Sequence, residues 1–269
     1  MSGATAADEP ELFDLYDAEG RPLGRTKPRA DVHRDGDWHR SAHVWIFTGD
    51  GQSEPRGPRE PRDGSRYGQG DGPGGGRLLF QRRALDKDTW AGRLDASVGG
   101  HYRAGEGTES VPREIREELG LIIAPEELIP LGVRRVESVE SVPPSPGVES
   151  VESVPPSHIV DRELQDVYLL RRDLPLTAYR PDPVELDALA LLDVGGAVRL
   201  HAAAPDPADD AGAHGDAVSL PADLLPVGAT SVQAYTFTPR DVIPGREPYI
   251  AAVARAIGDL LAGRPPGRL

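Results

Sequence analysis

Apolar and polar positions alternate through ELFDLYDAEGRPLGR (residues 11–25) except at the DAEG segment, predicting a strand, a tight turn and a second strand. HVWIF (43–47) reads as a buried strand, RLLFQRR (77–83) as the next one, and LQDVYLL (164–170) as a later one. PDPVELDALALL (181–192) reads as a helix with a proline-rich start. REPYIAAVARAIGDLLAG (246–263) repeats apolar residues at helical spacing and ends on glycine, predicting an amphipathic helix over about 246–262. Val111, Ile115, Leu119 and Ile122 form another apolar stripe, predicting a helix over 109–119 with Gly120 at its C-cap.

Between these segments the pattern dissolves. Residues 1–10 read as a disordered tail, and about 48–76 as a hairpin loop inflated by an insertion. VESVESVPPS occurs at 136–145 and again at 148–157, a tandem duplication too short for a solenoid. Residues 194–234, rich in Ala, Asp, Pro and Gly, read as a third, loose insertion before a C-terminal segment at 235–269. The chain has 31 glycines and 27 prolines but only 5% aromatic residues, as expected of a smaller folded core carrying long insertions.

Charge and cysteine content narrow the function. The net charge is −14 and no basic run could track a nucleic-acid backbone, which argues against a polynucleotide partner. An anionic small molecule stays open, because a bound cation and a few arginines reverse the local field. With no cysteine, disulfides, zinc–thiolate sites and a cysteine nucleophile are excluded. No apolar run reaches the length of a membrane span, and MSGATAADEP lacks the features of a signal peptide, so a cytoplasmic address is expected.

The chemistry concentrates in GGHYRAGEGTESVPREIREELGL (99–121). Glu114, Glu117 and Glu118 are spaced i, i+3, i+4, so a helix carries their carboxylates on one face while the apolar stripe docks elsewhere. Like charges at that spacing oppose helix formation, and a hard cation such as Mg2+ or Mn2+ offsets the repulsion. Charge pattern alone favours a solvated acidic face with Arg113 and Arg116 as ion-pair partners.

Arg113-Glu114-Ile115-Arg116-Glu117-Glu118-Leu119-Gly120-Leu121 resembles the REUxEExGU half of the Nudix box at every specified position. In the other half, Gly100 and Glu106 keep the family's spacing of five intervening residues, but six rather than seven residues separate Glu106 from Arg113. Pro112 lies in the shortened stretch, which predicts a helix that starts late, capped by Ser110. RRALDKDTWAGRLDASVGGH (82–101) and WHRSAHVWIF (38–47) are similar to the isopentenyl-diphosphate isomerase branch of the same superfamily. The likeness covers about 11–47, 77–135 and 158–193, so 11–193 is expected to be the Nudix domain, interrupted at about 48–76 and 136–157.

The resemblance implies an α+β fold of the Nudix type, a mixed sheet between helices with long disordered insertions. It implies Mg2+-dependent hydrolysis of a diphosphate linkage in a nucleoside- or alkyl-diphosphate, with Mn2+ as a substitute cation. Glu114, Glu117, Glu118 and Glu106 are the implied metal ligands, and Glu117, Glu114 and Asp166 the catalytic carboxylates, with Asp166 as fourth ligand or general base. Arg83, Lys87 and His101 are implied to touch the substrate. His39 and His101 also fall on metal-ligand positions of the isomerases, whereas a further such histidine falls on Val32, next to His33. The isomerases' catalytic cysteine falls on Gly99, which removes the proton donor for carbon chemistry. A nucleotide-binding or regulatory module of the same fold is the alternative, and a homodimer is compatible with the sequence.

Overall fold

The structure, a computed structural model, describes residues 10–49, 75–87, 89–142, 157–202 and 218–269. The expected tail, most of the 48–76 insertion and the centre of the duplicated segment therefore lie outside the described residues. In chain order the elements are β1 (Leu12–Tyr16), β2 (Pro22–Pro28), α1 (Arg29–Asp35), β3 (Trp38–Thr48), β4 (Arg77–Arg83), β5 (Leu94–Asp95) and β6 (Val98–His101). They continue with α2 (Val111–Leu119), β7 (Ile129–Val142), β8 (Ser157–Arg171), β9 (Leu186–Asp193), α3 (Val194–Ala202), β10 (Leu220–Pro226), β11 (Gln233–Phe237) and α4 (Glu247–Leu261). No helix among the described residues is long and apolar enough to cross a membrane. The chain divides into two compact units, one of residues 1–42, 100–111 and 133–166, the other of 43–99, 112–132 and 167–269.

In the first unit β1 and β2 form the expected antiparallel hairpin, with Leu12 opposite Pro28 and Phe13 opposite Lys27. Asp17 builds the turn, its Oδ1 accepting the N–H groups of Glu19 at 3.0 Å and Arg21 at 2.9 Å. α1 stops at Gly36, whose φ of 67° is the left-handed conformation that suits glycine. Phe13, Leu15 and Val32 form a small core here.

The second unit orders its strands β11-β10-β9-β4-β3, with β5 on β4. The β4–β9, β9–β10 and β10–β11 pairs are antiparallel, and a parallel bridge joins Leu94 to Val242. Trp45, Phe80 and Phe237 stack edge-to-face with centroids 5.3 and 5.0 Å apart, giving the core a rigid centre. α4 is the expected C-terminal helix and buries Ile250, Val253, Ala254 and Ile257.

Two expectations are corrected. Residues 186–193 are a strand between β4 and β10, not the end of a helix. A strand covered on both faces carries a near-continuous apolar run, here Ala188–Leu192, and periodicity does not separate that from a buried helix. Within 194–234, expected to be loose, the chain forms α3, β10 and β11 around the undescribed residues 203–217. Ala197 and Leu200 are fully buried, and Gly196 allows close approach: a Cβ there would stand 3.3 Å from Leu192 and 3.5 Å from Leu220. Tertiary packing thus overrides the weak helix propensity of a Gly-Gly pair.

α2 is held at its C-terminus by backbone bonds. The carbonyls of Leu119 and Glu118 accept the N–H groups of Arg180 and Asp182, both at 2.9 Å. Gly120 turns the chain at φ 70°, and a Cβ there would stand 2.7 Å from Arg180 Cβ. The turn also corrects the apolar stripe: Val111, Ile115 and Leu119 are fully buried, whereas Ile122, past the break, is 87% exposed. Gly120→Ala is expected to lower stability by about 2 kcal/mol through left-handed strain and crowding, read as a lower urea midpoint at unchanged m-value.

Candidate functional site

The three glutamates of the acidic motif have separate surroundings. Glu118 is 7% exposed and its Oε2 has no hydrogen-bond partner among the described residues. Burial pushes its carboxyl well above the usual range, helped by the charges of Glu114, Glu185 and Asp95 and opposed by a hydrogen bond from the Gly99 N–H. Arg113 bridges the other two, with Nη2 2.9 Å from Glu114 and Nη1 3.0 Å from Glu117. Glu117 is about half exposed, its side chain at 48%.

The start of α2 differs from its expected cap. A 3-10 turn at Thr108–Ser110 leads into Val111, which puts Pro112 in the first turn, where its missing N–H is tolerated. Ser110 Oγ donates back to the Gly107 carbonyl at 2.8 Å instead of capping the helix.

Arg83 and Lys87 are linked to this helix through two intervening carboxylates. Lys87 Nζ is 2.6 Å from Glu185, a carboxylate that acts on Glu118. Arg83 Nε donates to the Thr89 carbonyl at 3.1 Å, and its charge reaches Asp95, which also acts on Glu118. Asp95 is buried, which pushes its carboxyl up, yet the ion pair with Arg246, the charges of His43 and Arg83 and the Ala96 N–H hold it below the usual range.

Among the described residues, two triads bring potential ligand atoms within 4.8 Å of one another: His33–His39–His101 and His39–Asp161–Glu163. Both belong to the first unit. α1 supplies His33, β3 His39 and β6 His101, while Asp161 and Glu163 share one face of β8 at i, i+2. His39 Nδ1 lies 3.1 Å from the Asp37 carbonyl, which only accepts, so Nδ1 carries the proton and Nε2 presents a lone pair. That Nε2 is buried without a hydrogen-bond partner, as is His33 Nε2, and they stand 3.7 and 4.0 Å from Asp161 Oδ1.

Outer contacts fix the ligand groups. Glu163 takes His101 Nε2 at 2.9 Å on one oxygen, and Ser41 Oγ at 3.0 Å plus the Gln165 amide on the other. Arg134 in turn holds Gln165 at 2.8 Å. Phe13 stacks on His39 and His101 with centroids 5.3 and 5.0 Å away. Burial, then the neighbouring charge of His101, lowers His33 to about 3 and His39 to about 4, so both rings are neutral near pH 7.

The structure brings His39 and His101 together, as the resemblance implied, and adds His33, Asp161 and Glu163, which sequence reasoning did not select. Asp166 lies three residues beyond Glu163 with its Oδ1 2.7 Å from Arg40 Nη2, and burial raises its carboxyl against the pull of that arginine. Glu106 closes its own turn, accepting the Arg103 N–H at 3.1 Å. The missed signal was the DRE triplet at 161–163, whose two carboxylates alternate on a strand. It lies three residues beyond the duplicated segment, where counting from outside loses register.

Residues 71–209 match the NUDIX domain family. The chain is 31% identical over 182 residues to Nudix hydrolase 3 of Arabidopsis thaliana, covering 66% of this chain but only 19% of that one. It is 28% identical over 189 residues to an uncharacterized Nudix hydrolase of Clostridium acetobutylicum, covering 69% of this chain and 71% of the relative. It is 33% identical over 121 residues to an isopentenyl-diphosphate Delta-isomerase of Escherichia coli, covering 45% of this chain and 53% of the relative. The chain spans about a fifth of the plant relative and about half of the isomerase. With the family matched over half its length and the Arg113–Leu121 motif on a docked helix, the chain belongs to the Nudix family.

Proposed function

We propose that this protein hydrolyses the diphosphate linkage of a small nucleoside- or alkyl-diphosphate with a divalent cation, Mg2+ or Mn2+. The observation that carries the reading is Glu118, a buried carboxylate with an unpartnered oxygen, pushed up by burial and by the charges around it. Such a group is stable either protonated or facing a cation, and hard oxygen donors on a rigid helix suit Mg2+ or Mn2+. When bound, the cation supplies charge neutralisation for the diphosphate and a more acidic water.

Glu118 and Glu114 are the residues assigned to hold it. Glu117, more exposed and oriented by Arg113, is assigned to take the proton of the attacking water. Arg83 and Lys87 are assigned to the negative charge that develops on the leaving phosphate. Asp166, implied by the resemblance as fourth ligand or general base, pairs with Arg40 through Oδ1 and is not given the proton transfer in this proposal. Gly99 offers no side chain where the isomerases carry cysteine, so carbon protonation is not proposed.

The cluster of His33, His39, His101, Asp161 and Glu163 fits a separate cation. Imidazole and carboxylate together suit Mn2+ or Zn2+, and a metal needs its histidines neutral, which burial secures for His33 and His39. The Ser41, Gln165 and Arg134 chain behind Glu163 is the kind of outer shell that fixes ligand direction.

Release of phosphate or mononucleotide from a panel of diphosphates is expected to require Mg2+ or Mn2+, and Glu117→Gln is expected to lower kcat by roughly 10²–10⁴-fold with an unchanged circular dichroism spectrum. Absence of turnover with nucleotide still bound would assign the fold to a binding module. At the histidine cluster, His39→Asn should abolish tight Mn2+ or Zn2+ binding in calorimetry while leaving α2 intact.

The metal-free protein gives a pH signature. The unfolded chain takes up protons near the ordinary histidine value of 6.5, the folded chain only near about 3 and about 4. Stability therefore falls as pH drops through that window, and His39→Asn should flatten the slope in thermal melts.

A further inference from the structure

Arg246 comes from the C-terminal segment, outside residues 71–209 that match the family, yet its side chain reaches β5. Its Nη1 donates to Asp95 Oδ1, which also takes the Ala96 N–H at 2.7 Å. The backbone fixes this meeting. Leu94 bridges Val242 in parallel, the Leu94 carbonyl accepts the Ile243 N–H at 3.4 Å, and the Ile243 carbonyl accepts the Arg246 N–H at 3.2 Å. α4 starts next, pinned in its first turn by Trp45 Nε1 donating to Tyr249 Oη at 2.8 Å.

Asp95 is a neighbour of the α2 carboxylates. It stands opposite Gln81 in the β4–β5 pair, and Gln81 Nε2 lies 4.0 Å from a Cβ built on Gly99, whose N–H bonds Glu118. The charges of Arg246, His43 and Arg83 act on Asp95, and that of Asp95 acts on Glu118. A buried carboxylate of the site therefore carries an arginine that no part of the family motif supplies.

The guanidinium is only partly used. It is a planar fork with five N–H donors. Asp95 takes one nitrogen, and Nε and Nη2 have no partner among the described residues. The Arg246 side chain is 18% exposed against 8% for Asp95, so the pair is sealed at the carboxylate and more open at the arginine. Arginine and carboxylate left to each other favour two parallel bonds, whereas an arginine anchored at one nitrogen keeps donors for a phosphate oxygen. Other cations near α2 are more committed: Arg113 is divided between Glu114 and Glu117, and Lys87 lies 2.6 Å from Glu185.

We propose that Arg246 is a substrate-binding residue of the hydrolase site: held on Asp95 through Nη1, it gives its remaining guanidinium N–H groups to a phosphate oxygen of the diphosphate. This rests on the diphosphate reading given above and deepens it, since Arg246 then shares the diphosphate with Arg83 and with the cation assigned to α2. No bond to Arg246 forms or breaks. The C-terminal segment thereby joins a site otherwise built by α2 and the residues around the end of β4.

Removing the arginine alone leaves Asp95 buried and unpaired, which costs stability whatever the arginine does, so the comparison starts from Asp95→Asn. Asp95→Asn and Asp95→Asn/Arg246→Gln both lack the ion pair and differ only in the guanidinium. In calorimetry with Mg2+, the double variant is expected to bind methylenediphosphonate roughly 10–100-fold more weakly than Asp95→Asn. The same gap is expected in KM, with a smaller change in kcat. A pair with a structural role alone predicts equal affinities. Arg246→Lys gives a second comparison, for it keeps a charge against Asp95 but has no fork to meet a phosphate as well. It is expected to bind about tenfold more weakly than the wild type, where a structural role predicts no change.

If the wild type hydrolyses diphosphates while Arg246→Lys and the double variant, folded by circular dichroism, bind as tightly as their references, the proposal is overturned and the hydrolase reading stands. If the wild type hydrolyses nothing and the gaps in affinity appear, the hydrolase reading fails and the contact stands. Should Asp95→Asn not fold, Arg246→Lys decides alone. A wild type that binds no methylenediphosphonate at millimolar concentration overturns the proposal.

Discussion

Docking α2 through Val111, Ile115 and Leu119 forces Glu118 out of water, and the chemistry of the carboxylate site follows from that burial. The helix is not free to roll away from the penalty. Its last carbonyls are bonded to the Arg180 and Asp182 N–H groups, and Gly120 turns the chain against Arg180. Desolvating a carboxylate costs on the order of several kcal/mol, and Glu114, Glu185 and Asp95 add like charge. Only the Gly99 N–H works in the opposite direction. The apolar stripe therefore does more than pack, because it holds an electrostatic deficit that a bound cation would relieve.

The histidine cluster follows the opposite logic. There burial removes charge, lowering His33 to about 3 and His39 to about 4, while Glu163 is surrounded by donors. One set of groups is preorganised by having too much negative charge, the other by keeping basic nitrogens neutral. Both arrangements leave buried polar atoms without partners, Glu118 Oε2 in the first and His33 and His39 Nε2 in the second. Buried polar groups are nearly always paired, so an orphan among clustered ionisable side chains calls for a physical account, and a bound cation would supply one at both places.

Sequence reasoning read the parts whose signal is local. The Asp17 turn, the Ile115–Leu119 face and the α4 stripe depend on neighbours within a few residues, and those elements appear where expected. It failed where burial is two-sided or where ligands come from distant segments. β9 looks helical because both of its faces are covered, and α3 looks loose because its glycines serve packing against Leu192 and Leu220. His33 was passed over because the histidine position of the isomerases falls on Val32, and the sequence does not show that α1 turns the neighbouring residue toward His39. Asp161 and Glu163 adjoin a duplicated segment, so neither could be numbered from the resemblance alone.

Gly99 shows how the absence of a side chain carries chemical information. Read along the sequence, glycine there only subtracts, removing the proton-donor position of the isomerases. In three dimensions the missing atoms bring a backbone N–H to Glu118 and leave space beside His43 and Gln81. A larger residue would fill that volume. Glycine at this position therefore removes a side chain and leaves a backbone donor facing a buried carboxylate, the one contribution that opposes the burial and like charges raising Glu118.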